Sequence, residues 1–296
     1  MKLQTPVADA QCNVGISYRD KITMLGSCFS DNIGGMLTNY GFDVNVNPFG
    51  TLYNPVSILN SIERLISGKL FTEEDCIQIG AGDERYCSFH HHTSFARTSK
   101  EEFLDNANMA LQKAAQHFAE STRVIITLGT SWCFRNTASG SIVSNCLKRH
   151  PAEFVRERLS AHETADCLKH IIELCRNAES DTFKPKEFIF TVSPIRHFKD
   201  GAHGNQISKA GLLLGIEEVL ETAKTEYFPS YEIMMDELRD YRFYAEDMCH
   251  PSAQAVDYIC ERFLAWALDA EDHKTLEENI RLYKKSRHKA CANGIN

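Results

Sequence analysis

The sequence predicts an α/β fold with a mostly parallel sheet covered by helices on both faces, and three observations lead there. Short, wholly apolar runs of the kind a strand buried on both faces requires alternate with segments of helical periodicity. Three of these runs end at once in small polar residues: Gly26-Ser27, Gly129-Thr130-Ser131 and Ser193-Pro194. No internal repeat, low-complexity tract or Gly/Ser/Pro linker interrupts the alternation, so one domain is expected over residues 1–268, followed by a charged C-terminal tail or helix over 269–296.

Taken in order, Ile22–Leu25 is the first strand and Asp31–Tyr40 the helix after it. Val44–Val46 is a short strand ending at Asn47-Pro48-Phe49-Gly50, and Pro55–Ser67 is a helix with proline in its first turn. Ser99–Ala119 repeats apolar residues at helical spacing (Phe103, Ala107, Leu111, Phe118) and leads into the strand Val124–Leu128. Pro151–Asn177 reads as one long amphipathic helix before the strand Phe188–Val192. Ser208–Lys224 reads as a helix capped by Ser208 with Leu212, Ile216, Val219 and Leu220 inward. Pro251–Leu268 closes the fold with Val256, Ile259, Phe263 and Trp266 inward. Phe71–Thr98 and Arg135–His150 are insertions expected to form a lid or side wall. Ligands of an open α/β sheet lie beyond the carboxyl ends of its strands, so the three polar strand ends predict one shared crevice.

Composition narrows the function. The chain has 296 residues, 43% of them hydrophobic, and a net charge of -8, with basic residues densely clustered only at Lys284, Lys285, Arg287 and Lys289. A nucleic-acid partner is therefore not expected, because phosphate neutralisation needs a basic face and this run reads as a solvated tail. The 11 cysteines are odd in number and lack a Cys-x-x-Cys pair, which argues against a disulfide framework or a zinc knuckle and for a reducing compartment. No run of about 18 apolar residues occurs, and Met1–Ala8 has no apolar core, so a soluble cytoplasmic protein without a membrane partner is expected. No cofactor is expected.

The chemistry is carried by two distant segments, Gly26-Ser27-Cys28-Phe29-Ser30 and Asp247-Met248-Cys249-His250. A serine hydroxyl becomes a nucleophile when a histidine takes its proton and an acid orients that histidine, and these are the three residue types present. Ser27 at a strand end and helix N-terminus sits in a positive backbone field. Cys28 is the rival nucleophile, but alternation along the turn assigns it to the other side, so Ser27 is the expected catalytic residue with His250 as base and Asp247 as its partner. His90-His91-His92 lie on an extended segment, where neighbours point to opposite faces, and no acidic or thiol set completes a shell; no metal is expected. The aromatic and hydroxyl-rich segment Ser88–Phe95 suits a sugar instead, which makes His91 and His92 candidate substrate contacts. Thr130, Arg196 and His197, at strand ends, are the others.

The strings Leu25–Ser30, Asn47–Pro55, Tyr227–Glu232 and Asp240–Pro251 resemble the GSCFA-domain family, among the SGNH/GDSL-type hydrolases, over about Thr5–Phe263. The resemblance implies a flavodoxin-like three-layer α/β/α sandwich in which Ser27 is the nucleophile, His250 the base and Asp247 its orienting acid. Two positions depart from the wider superfamily: Leu25-Gly26-Ser27 stands where Gly-Asp-Ser is usual, and Gly129-Thr130-Ser131-Trp132 stands at the Gly-x-Asn-Asp block. The family's own string also has Ala where this chain has Ser30. The expected oxyanion donors are the Ser27 and Gly50 backbone N–H groups with a side chain from Asn54 or Ser131.

The expected function is a serine esterase that removes an acyl group, acetyl foremost, from a carbohydrate or small polyol through an acyl-enzyme. An acyltransferase with the same residues, a thiol enzyme built on Cys28 and a non-catalytic carbohydrate-binding module on the same fold are the alternatives. The expected partner is a small-molecule or carbohydrate ester; oligomeric state is left open.

Overall fold

Five parallel strands form the central sheet of this computed structural model, which describes residues 5–7, 12–220 and 224–292. In chain order the strands are β1 (Lys21–Gly26), β2 (Asp43–Val46), β3 (Ile77–Gln78), β4 (Tyr86–Cys87), β5 (Arg123–Leu128), β6 (Trp132–Asn136), β7 (Ile142–Val143), β8 (Phe154–Arg158), β9 (Glu187–Val192) and β10 (Thr225–Phe228). The main helices are α1 (Cys28–Asn39), α2 (Pro55–Ser67), α3 (Lys100–Glu120), α4 (Ala161–Asn177), α5 (Gly201–Leu220), α6 (Ala253–Ala267) and α7 (His273–Ala292). The central sheet runs β10-β9-β5-β1-β2. Counting only its own strands, this is the 2-1-3-4-5 order of flavodoxin-like sandwiches, whose switch point falls where the chain leaves β1 for one side and returns to β5 on the other.

The three central strands β1, β5 and β9 bury both faces, and the alternation divides the core in two. Ile22 and Met24 of β1, Ile125 of β5 and Ile189 of β9 pack with Phe29, Ile33 and Leu37 of α1 and Val256, Ile259 and Phe263 of α6. Leu25, Val124, Ile126, Phe188 and Phe190 point the other way, onto Ile58 and Ile62 of α2, Phe103 and Leu111 of α3, Leu168 of α4 and Leu212 and Ile216 of α5. The period of two in the strands and of 3.6 in the helices meet in both layers.

Several boundaries differ from the sequence reading, each for a physical reason. Residues 151–177 are not one helix: β8 pairs antiparallel with β6 before Ser160 caps α4, with Glu163 completing a reciprocal capping box. The helix expected to begin at Ser208 starts at Gly201, so Ser208 lies inside it, and the expected end at Lys224 falls past residues 221–223, which lie outside the described residues. The edge strand β10, Thr-Glu-Tyr-Phe, has no continuous apolar run to mark it in the sequence. The expected tail forms α7 up to Ala292, and Met1–Gln4, Ala8 and 293–296 lie outside the described residues. Among the described residues no helix is long and apolar enough to cross a membrane.

Candidate active site

The carboxyl end of β1 is fixed against β5 by glycine. Gly26 has φ +139, and a Cβ there would stand 2.1 Å from Thr127 O, so only glycine lets the two strands meet at the switch point. The turn that follows is held on every side. Ser27 N–H donates to Thr127 O at 3.1 Å, and Leu52 N–H to Gly26 O at 2.8 Å. Asn47, at a positive φ of 42, accepts from Gly26 N–H at 2.8 Å and donates to Asp31 Oδ1 at 2.7 Å.

Ser27 is the N-cap of α1. Its hydroxyl accepts from Phe29 N–H at 3.3 Å and its side chain is fully buried. Cys28, at the first helical position, is only partly buried and lines the cleft above the switch point, together with His250, Tyr53, Asn54, Thr130, Trp132, Phe134, Arg156 and His197. The cleft has a volume of about 630 Å³. The alternation argument thus assigned the two side chains to the wrong sides: capping turns the serine back onto the helix and leaves the thiol facing the space. Among the described residues no hydrogen bond joins Ser27 to His250.

Asp247 and His250 form a local pair. His250 Nδ1 lies 2.5 Å from Asp247 Oδ2, while Asp247 Oδ1 accepts from the Cys249 and His250 N–H groups, both at 2.9 Å. A carboxylate only accepts, so Nδ1 carries the proton and Nε2 is the basic nitrogen left to the cleft. These backbone N–H bonds and the imidazole hold the Asp247 carboxyl well below its usual range, at about 2. Both side chains are half exposed.

The expected oxyanion donors sort by their other commitments. The Ser27 N–H is taken by Thr127 O, and the Gly50 N–H is taken by Asn47 O at 2.7 Å. Gly50 is also pressed against His92, whose Cβ would lie 2.3 Å from a Cβ at this position. Ser131 is fully buried, its N–H and hydroxyl both bonded to Ser208 Oγ. In this structure all three expected donors are engaged elsewhere. Asn54 keeps a donor: its Oδ1 caps α2 by accepting from Ser57 N–H at 2.9 Å, which fixes the amide orientation and leaves Nδ2 unpaired among the described residues. The Cys28 N–H, in the first turn of α1, has no acceptor besides its own thiol among the described residues and is the second candidate donor.

The candidate substrate contacts divide as well. Thr130 and His197 line the cleft. Burial, reinforced by Lys209, holds His197 neutral down to about pH 4. Arg196 lines a separate pocket with Met234, Met235, Arg239, Tyr241 and Met248. His91 is a core residue: fully buried among Phe49, Phe71, Phe95 and Phe103, bonded to Ser88 at 2.6 Å and pushed down to about 3 by burial. His92 caps a short turn through Ser94 N–H and packs on Gly50, outside the cleft lining. Among the described residues no group of three or more His, Cys, Asp or Glu is placed to hold a metal ion.

Three features escaped the sequence reading. Trp132, Phe134 and Arg156, from the small antiparallel sheet β7-β6-β8, form the aromatic wall of the cleft. The Arg156 guanidinium lies 4.1 Å over the Trp132 ring and pairs with Asp200. Lys209 is wholly buried and donates to Gly129 O at 2.7 Å and Ser193 O at 2.8 Å, tying the ends of β5 and β9 together. Its signal was present: Asn205, Ser208, Lys209 and Leu212 follow the i, i+3, i+4, i+7 stripe that α5 buries, so a lysine stands on an inward face.

A family model described as the GSCFA family matches residues 21–263. The chain belongs to this family. The match runs from β1 to the end of α6 and so contains both site segments. A search of curated proteins finds no match. Among solved structures, Est24, a carbohydrate acetylesterase from Sinorhizobium meliloti, is 10% identical with a TM-score of 0.40, over 83% of this chain and 97% of that one. A Clostridium thermocellum family 3 carbohydrate esterase is 10% identical with a TM-score of 0.37, over 89% of this chain and 98% of that one.

Proposed function

We propose that this GSCFA-family protein is an acyl hydrolase that cleaves esters of a carbohydrate or small polyol, acetyl esters foremost. The observation that carries the reading is the Asp247–His250 pair on the rim of a cleft whose other wall holds a helix N-terminus, the Ser27–Cys28 turn and the Asn54 amide nitrogen, unpaired among the described residues. Nδ1–H is held by Asp247, so Nε2 accepts the nucleophile's proton during attack on the ester carbonyl and returns it to the leaving alcohol. The Cys28 N–H and Asn54 Nδ2–H are the two donors suited to the charge that develops on the carbonyl oxygen.

The wall opposite the turn supports the substrate class. Trp132, Phe134 and Tyr53 offer ring faces, and Thr130, Ser144 and Arg156 offer hydrogen-bonding groups, a mixture that suits the apolar and hydroxyl faces of a sugar ring. An acyltransferase would use the same residues with an alcohol in place of water. The free cysteines, none disulfide-bonded among the described residues, support a reducing, cytoplasmic setting.

The test is a screen of peracetylated and monoacetylated sugars and an aryl acetate, with acetate release and product analysis. Release by the wild type that falls by about a thousandfold in His250→Ala supports the reading. Equal release from the two proteins would overturn it.

A further inference from the structure

We propose that the nucleophile of this site is the Cys28 thiol and that Ser27 is the structural cap that aims it; this inference rests on the acyl-hydrolase reading above. The two adjacent side chains occupy different surroundings. Ser27 has no exposed surface and lends its oxygen to the Phe29 N–H. Cys28 lines the cleft that His250 also lines. A reacting carbonyl has to reach the nucleophile from the cleft, and the thiol is the one of the pair that stands there.

The arrangement around Cys28 fits covalent catalysis in three respects. It occupies the first position of a twelve-residue helix, where the unpaired N–H groups and the helix dipole favour negative charge at the sulfur and at the substrate oxygen alike. Its own N–H has no acceptor besides its own sulfur among the described residues, whereas the Ser27 N–H is already committed to Thr127. In the share of molecules where the buried Lys209 is protonated, its charge acts on the thiol as a minor influence that favours the ionised form. Burial and the Asp31 carboxylate act the other way and push the thiol above its ordinary value. Cys28 therefore rests as the neutral thiol, and its activation depends on His250 taking the proton during attack rather than on a preformed thiolate.

The steps balance without a co-reactant beyond water. The Cys28 S–H proton passes to His250 Nε2 as sulfur bonds to the ester carbonyl carbon, whose π pair moves to oxygen. Collapse re-forms the carbonyl and breaks the bond to the alcohol, which leaves with the proton from His250. Water then attacks the thioester as His250 takes one of its protons, the carboxylic acid departs and the sulfur recovers its proton.

The experiment follows turnover of p-nitrophenyl acetate and of the best acetylated sugar alongside alkylation by iodoacetamide, with modified residues mapped by peptide mass spectrometry. The expected result is that activity disappears in step with alkylation of Cys28, that Cys28→Ala loses about a thousandfold in kcat/KM, and that any trapped acetyl group sits on Cys28 and is released by neutral hydroxylamine, as a thioester is. Ser27→Ala and Ser27→Thr, the second keeping a capping hydroxyl, are expected to retain alkylation-sensitive turnover and acylation at Cys28, with Ser27→Ala the less heat-stable of the two. Full activity after complete Cys28 alkylation, or a hydroxylamine-stable acetyl group on Ser27 that vanishes in Ser27→Ala, would overturn the assignment. No ester turnover by the wild type would refute the acyl-hydrolase reading itself, and the assignment with it.

Discussion

The turn between β1 and α1 and the loop from Tyr244 to Pro251 face one cleft but are held by opposite means. The turn is bonded to the framework: its backbone is tied to Thr127 and Leu52, a glycine fits it against β5, and Asn47 braces it from β2's side. The loop is bonded mainly to itself. Its Ala245 N–H donates to His250 O at 2.8 Å, its Met248 N–H to Ala245 O at 2.9 Å, and its aspartate and histidine pair across three residues. Its backbone ties outward among the described residues are the bonds Arg196 N–H to Cys249 O and Tyr244 N–H to Tyr241 O, and Ser252 N–H to Phe243 O closes its neck. Met248 holds φ 57, a conformation that a non-glycine residue adopts only when its neighbours impose it. The turn that carries the proposed nucleophile is thus bonded into the sheet, while the proposed base belongs to a preassembled unit on a half-exposed loop.

The comparison breaks most sharply at the base. His250→Ala removes the proton acceptor and is expected to lower kcat/KM by about a thousandfold or more, read by steady-state kinetics. Asp247→Asn is expected to lower kcat by about a hundredfold or more, because an amide no longer fixes the Nδ1–H tautomer. It is also expected to loosen the loop, detectable as faster hydrogen exchange at Cys249 and His250, whose N–H groups the carboxylate accepts.

On the rigid side, Asn54→Asp separates two roles of one residue. Aspartate caps a helix as well as asparagine does, so thermal stability is expected to hold, while kcat falls by about a hundredfold through loss of the amide donor. An unchanged kcat would remove Asn54 from the oxyanion site. Trp132→Ala is expected to raise KM by about tenfold for acetylated sugars and to leave small aryl acetates little changed, since ring-face contact is worth on the order of 1 kcal/mol.

The pH dependence of stability reports on the loop's carboxylate. Asp247 has a folded-state value of about 2 against an ordinary 3.8, so the stability it contributes is in place above 3.8 and is lost as pH falls through about 2. Acid unfolding followed by circular dichroism is therefore expected to lose this contribution between about pH 4 and pH 2 in the wild type and to lack that step in Asp247→Asn. The smallest effect is at the cap, where Ser27→Ala is expected to cost about 1 kcal/mol in denaturant unfolding.

What the sequence made legible follows from where a signal is local. The strands Ile22–Leu25, Val124–Leu128 and Phe188–Val192 are legible because burial on both faces leaves an unbroken apolar run, and α2 because Pro55 and Gly68 mark its ends. Asp247 and His250 pair within one turn, so their spacing in the chain already states their geometry. The facing of Ser27 and Cys28 is not local in that sense. It depends on whether the serine hydroxyl turns back to cap α1, a choice of rotamer that alternation cannot register. Thr130 and Ser131 likewise read as a polar strand end, and only α5 arriving with Ser208 decides that Ser131 is consumed in holding the turn. His91 reads as a substrate contact from the aromatic and hydroxyl-rich segment Ser88–Phe95, while Phe49, Phe71 and Phe103 from other segments join the nearby Phe95 to make it core.

Lys209 gives the sheet a built-in gauge. Burial brings its ammonium down to about 7 from an ordinary 10.5, so near neutral pH a large share of these lysines carries a free amine lone pair, chemically ready and sealed from solvent. An acylating reagent in solution can reach that amine only when the ends of β5 and β9 part. The rate at which Lys209 is labelled therefore counts how often the floor of the cleft opens, and a tightly bound substrate mimic that holds the floor shut should slow the count.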